Sequence, residues 1–115
     1  MTRGLFDLTG KVALVTGGNG GIGLGMARGL ALHGASVIIW GNKPEKNEDA
    51  VAELRQYGGE VRCRQVDVAS ETAVKEGMAE IIEEFGRIDQ AIANAGIGMP
   101  RRDMFEISGA DFRKL

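Results

Sequence analysis

Val12-Ala13-Leu14-Val15-Thr16-Gly17-Gly18-Asn19-Gly20-Gly21-Ile22-Gly23 is an apolar run that breaks into a cluster of glycines. Four consecutive apolar residues suit a strand covered on both faces, as in a parallel sheet. Beyond the cluster, Ile22, Met26, Ala27, Leu30 and Ala31 recur at helical spacing as far as His33-Gly34, where glycine can take the left-handed cap conformation. Strand, glycine turn and helix in that order form the opening unit of an open α/β sheet, and its turn is where such sheets hold an anion.

The same alternation continues outward. Val37-Ile38-Ile39-Trp40 is a second apolar run, followed by the turn residues Gly41, Asn42, Lys43 and Pro44. Pro44 suits a first helical turn, and the helix after it places Ala50, Val51 and Leu54 inward before ending near Tyr57-Gly58-Gly59. Val61-Arg62-Cys63-Arg64 alternates apolar and basic, so this third strand is expected to have one wet face or to lie at the sheet edge, running on to Val66-Asp67-Val68. Ser70 is an N-cap for a third helix whose stripe is Val74, Met78, Ile81, Ile82 and Phe85, with Gly86 as its stop. Ala91-Ile92-Ala93 is a fourth strand leading into the turn Asn94-Ala95-Gly96. The remainder, through Pro100 to Phe112, reads as a loop and the start of a helix.

Four strands joined by helices predict an α/β fold of the Rossmann type, a doubly wound parallel sheet of order 3-2-1-4 within one domain over residues 1–115. The first two helices then cover one face, the third covers the other alone, and the fourth strand has an open edge. The sheet therefore reads as incomplete, with further chain or a partner subunit expected to finish the core.

Composition narrows the function. Sixteen acidic and fourteen basic residues give a net charge of -2, which provides no bulk field for nucleic acid or an anionic membrane surface. With 43% apolar and 26% charged residues, the chain has an ordinary globular balance. Cys63 is the single cysteine, Met1-Thr2-Arg3-Gly4 is not followed by a signal-peptide core, and a reducing, cytoplasmic setting is expected. The charge-free stretch from Val12 to Ala27 is broken by six glycines and falls short of the roughly 20 apolar residues that span a bilayer.

The glycine turn carries the chemistry. Side chains at Gly17, Gly21 and Gly23 would obstruct the tight turn, the approach of a pyrophosphate or the packing of the helix on the first strand. Gly18, Gly20 and Gly23 also match the general dinucleotide spacing. No Gly-Lys-Ser or Gly-Lys-Thr follows, which argues against a nucleoside-triphosphatase loop. His33 and Cys63 make no metal-ligand set, and Asp103, Glu106 and Asp111 are spaced as on a solvated helix surface.

Together these residues resemble the short-chain dehydrogenases/reductases. The lead-in Phe6-Asp7-Leu8-Thr9-Gly10-Lys11 and the strand after it are similar to that family's first strand. Thr16-Gly17-x-x-x-Gly21-Ile22-Gly23 matches its cofactor motif, Asp67-Val68 its adenine contact, and Asn94-Ala95-Gly96 its Asn-Ala-Gly turn, with Ala93 where many members have a second asparagine. The resemblance implies a nicotinamide dinucleotide held by Gly17, Asn19, Gly20, Gly21, Ile22, Gly23, Asn42, Lys43, Asp67, Val68, Asn94, Ala95 and Gly96. Asp67 as a cap of the next turn and Asn94 as a stay of its own turn are the structural alternatives.

It also implies hydride transfer between nicotinamide and a small-molecule alcohol or carbonyl, in a homo-oligomer. The lead-in resembles sugar-acid and acyl-carrier reductases. The pair Gly41-Asn42 at the end of the second strand offers no carboxylate to a ribose, and Lys43 is close by, which favours NADP over NAD. Asn42 and Gly20 nevertheless stand where the family's NADP users often carry basic residues. The catalytic serine and Tyr-x-x-x-Lys of the family have no bearers, since Tyr57 has Val61 four residues on. The 115 residues are thus expected to supply cofactor binding within a longer enzyme, the alternative being a stand-alone nucleotide-binding or regulatory module.

Overall fold

In the computed structural model, residues 4–95 and Gly109 are described. Strands β1 (Val12–Thr16), β2 (Ser36–Trp40), β3 (Val61–Arg64) and β4 (Gln90–Ala93) form one parallel sheet in the order β3-β2-β1-β4. Helices α1 (Gly21–Leu32), α2 (Pro44–Arg55) and α3 (Glu71–Phe85) connect them in sequence. This is the order read from the sequence. The register sets Arg64, Trp40, Thr16 and Ala93 side by side, so all four strands end at one level and their following loops emerge together.

Alternation along the strands divides the apolar side chains between two cores. Val15, Val37, Ile39 and Val61 pack with Ala27 and Ala31 of α1 and Ala50, Val51 and Leu54 of α2. Val12, Leu14, Ile38 and Trp40 face the other way, onto Ile81 with Val74, Met78 and Phe85 of α3. Gly77 lets α3 come close there, because a Cβ on it would lie 2.6 Å from Trp40 Cζ2. The Trp40 indole nitrogen is buried without a hydrogen-bond partner among the described residues.

The helix ends follow their local chemistry. Pro44 opens α2, the Ser70 hydroxyl accepts from the Ala73 amide at 3.2 Å, and Gly34 and Gly86 carry positive φ of 98° and 76° after α1 and α3. No helix among the described residues is long and apolar enough to cross a membrane. At the far end of the sheet, Asp89 accepts from the Val12 amide at 2.8 Å and from Arg87 Nη2 at 2.6 Å. These hydrogen bonds, that of Arg87 foremost, hold its carboxyl below the usual carboxylate range.

Two expectations need correction, the end of the third strand and the two apolar stripes. The third strand stops at Arg64 instead of running to Val68, because β2 offers partners only from Val37 to Trp40. The strand does lie at the sheet edge, as its alternation implied, and its arginines are ion-paired: Arg62 with Glu84 at 2.7 Å and Glu60 at 2.9 Å, and Arg64 with Glu80. Ile22 and Ile82 leave the apolar stripes assigned to them and are 79% and 50% exposed, Ile22 at the mouth of the glycine turn.

Candidate functional site

The loops at the carboxyl ends of β1, β2, β3 and β4 hold most of the candidate residues, as a doubly wound sheet requires. Gly17 continues the ladder by donating its amide to Trp40 O at 2.8 Å, then turns the chain with φ +67°. A side chain is disfavoured in that backbone conformation. Its carbonyl oxygen accepts from Asn94 Nδ2 at 3.3 Å. Gly23, two residues into α1, lies so near that a Cβ on it would overlap both the Gly17 carbonyl and the Asn94 amide.

Gly20 is the N-cap of α1, with extended backbone. No side chain caps the helix and no acidic residue occupies its first turn, so the amides at its start and their partial positive charge face the loop unneutralised. Such a helix start favours an anion.

Beside it the end of β2 is built from amides. Asn19 Nδ2 donates to Asn47 Oδ1 at 2.9 Å, and Asn47 Nδ2 donates to Gly41 O at 2.9 Å. A Cβ on Gly41 would overlap both side chains, so the two asparagines fill the space of any side chain at 41. Asn47 is 2% exposed and was not among the candidates. Its one signal is spacing: with Ala50, Val51 and Leu54 it completes a buried stripe at i, i+3, i+4 and i+7.

The remaining candidates are placed as follows. Asn42 and Lys43 are exposed, Asn42 O accepting from Gln65 Nε2 at 3.1 Å and Lys43 standing at the N-cap of α2. Asp67 Oδ1 accepts from the Ala69 amide at 2.9 Å, the turn-capping role given as its alternative, and Val68 beside it is 43% exposed. The Ala95 amide donates to Thr16 Oγ1 at 3.0 Å, which ties the β4 loop to β1. The Asn94 side chain steadies the glycine turn, and among the described residues only its backbone amide, donating to Ile92 O at 3.0 Å, bonds within its own turn. Gly96, like Asp103, Glu106 and Asp111, lies outside the described residues.

A dinucleotide is compatible with these residues. The start of α1 is bare toward the loop, Gly23 leaves no side chain in the cradle, and Val68 offers an apolar surface to a base.

Comparison with known proteins agrees with this geometry. The family described as short chain dehydrogenase matches residues 11–115. A 2-dehydro-3-deoxy-D-gluconate 5-dehydrogenase of Formosa agariphila is 40% identical over 116 aligned residues, covering 100% of this chain and 44% of that protein. The structure of a metagenomic short-chain oxidoreductase in complex with NADP superposes with a TM-score of 0.84 at 30% identity, covering 95% of this chain and 49% of that one. NAD+-bound xylitol dehydrogenase superposes with a TM-score of 0.83 at 36% identity, covering 93% and 41%. The chain thus spans less than half the length of these proteins. With the glycine turn, the strand order and a family match over residues 11–115 in agreement, the chain belongs to the short-chain dehydrogenases.

Proposed function

We propose that the whole protein is an NAD(P)-dependent oxidoreductase acting on a small alcohol or carbonyl, and that these 115 residues bind and orient its dinucleotide. The bare start of α1, packed against the Gly17 carbonyl where a Cβ on Gly23 would intrude, carries this reading. A bound nicotinamide supplies or accepts the hydride. The amides at the start of α1 take the pyrophosphate, Asn42 and Lys43 flank the adenosine ribose, and Asp67 and Val68 border the adenine. Asn94 and Ala95, in the loop after β4, border the nicotinamide end.

The finer reading is NADP. A carboxylate at the end of β2 would hydrogen-bond a ribose 2′-hydroxyl and repel a 2′-phosphate. At position 41 there is only glycine, and the space beside it is filled by the neutral amides of Asn19 and Asn47. The match to a sugar-acid dehydrogenase favours a polyhydroxylated substrate for the whole protein. Calorimetric titration with NADPH, NADH and S-adenosylmethionine tests the reading. Saturable binding of NADPH, with NADH weaker and S-adenosylmethionine inert, is the expected result, and no heat from either pyridine dinucleotide would overturn it.

A further inference from the structure

Lys46, on the first turn of α2, reaches back across the site. Its Nζ lies 3.2 Å, and its Cε 3.5 Å, from the point that a Cβ on Gly20 would occupy. The ammonium therefore lies over the residue that caps α1, in space left open because residue 20 has no side chain. Its sequence neighbour Asn47 is bonded to Asn19, the neighbour of Gly20, and both asparagines close over Gly41 at the end of β2. Lys46 thus stands where the glycine turn and the end of β2 meet, the place at which a doubly wound sheet receives the adenosine ribose.

Among the described residues no carboxylate lies within ion-pair distance of Lys46, whereas the ion pairs of Arg28, Arg62, Arg64, Lys75 and Arg87 are formed. The first turn of α1 carries no acid either. An exposed ammonium beside a bare helix start suits a dianion held off the pyrophosphate track.

We propose that Lys46 reads the 2′-phosphate of NADP and is the cofactor-specificity residue of this chain. The proposal rests on the dinucleotide reading above. Lys43, the cation suggested by the sequence, stands at the N-cap of α2 and gives its carbonyl oxygen to the Asn47 amide at 3.0 Å. Lys46 is the residue whose charged end is brought to the glycine turn.

Calorimetry on the full-length protein tests this with two matched pairs, NADPH against NADH and 2′,5′-ADP against 5′-AMP, so that no turnover is needed. Lys46→Ala should weaken NADPH and 2′,5′-ADP by about tenfold and leave NADH and 5′-AMP within about twofold. Lys46→Arg should keep the preference, and Lys43→Ala should cost less than Lys46→Ala. The side chain is exposed, so the thermal midpoint should not move. Unchanged NADPH affinity in Lys46→Ala, or equal weakening of NADPH and NADH, would overturn the role of Lys46 while leaving the dinucleotide site standing. A wild-type protein that binds neither dinucleotide would instead overturn the parent reading, and this one with it.

Discussion

Asn94 and Gly17, 77 residues apart in sequence, are joined by a hydrogen bond from Asn94 Nδ2 to the Gly17 carbonyl oxygen. Gly17, the first residue after β1 and one of positive φ, is thereby tied to the loop after β4, and Gly23 packs against the same pair of groups. The backbone that would face a phosphate is held from two sides.

Changing the amide of Asn94 should therefore disturb both stability and dinucleotide affinity in a definite rank. Asn94→Ala removes a donor from a half-buried carbonyl and should cost about 1 kcal/mol in urea unfolding. Asn94→Asp should cost more, because a carboxylate oxygen would face the Gly17 oxygen with no proton to share. Equal stability of the two variants would argue against the bond.

Asn47 is the buried centre of the amide network. Asn47→Ala leaves the Gly41 carbonyl and the Asn19 amide without their partner and should destabilise the protein by about 1–3 kcal/mol. Asn47→Leu should not restore the loss, since the carbonyl it meets stays unsatisfied. Denaturant midpoints of the three proteins decide the matter.

Trp40 is the single tryptophan and packs against Gly77 of α3. Gly77→Leu would force side-chain bulk onto the indole and should cost about 1–3 kcal/mol by overpacking. The emission of Trp40 should shift to the red as the ring is displaced toward water. An unshifted spectrum would mean that α3 can back away from the sheet at little cost.

The folded protein holds the Asp89 carboxyl below the usual carboxylate range through Arg87 and the Val12 amide. A carboxyl with a depressed folded value stabilises the protein above the unfolded value, about 3.9, and loses that contribution as pH falls through the folded value. Urea midpoints of the wild type should hence owe nothing variable to Asp89 between pH 5 and 8 and should drop in stronger acid. Asp89→Asn should be less stable at pH 7, and the two curves should converge toward low pH.

Much of the architecture was legible in the residues, and the reasons are physical. Val12 to Val15 and Val37 to Trp40 are unbroken apolar runs because both of their faces are covered, one by α1 and α2 and the other by α3. Ser70, Pro44 and Gly86 act locally, so their roles could be read without any tertiary contact. Lys46 was not legible, because nothing in Pro44-Glu45-Lys46-Asn47-Glu48-Asp49 sets it apart from its charged neighbours, and Asn47 showed only through its helical spacing to Ala50, Val51 and Leu54. What separates the two from their neighbours is the fold, which brings Gly20 and Gly41 up to them. The end of β3 was missed for a similar reason: Val66 is apolar and buried, yet it packs against the core from a loop.

The pairing of Arg62 and Arg64 with α3 has a bearing on life in a crowded cell. β3 borders the sheet, is four residues long, and carries two of its four side chains as arginines anchored to glutamates. A foreign strand trying to zip onto that border would find a short template flanked by fixed charge, with little apolar surface to gain. Short length and anchored charge thus disfavour sheet growth at that border, whatever each ion pair adds to stability.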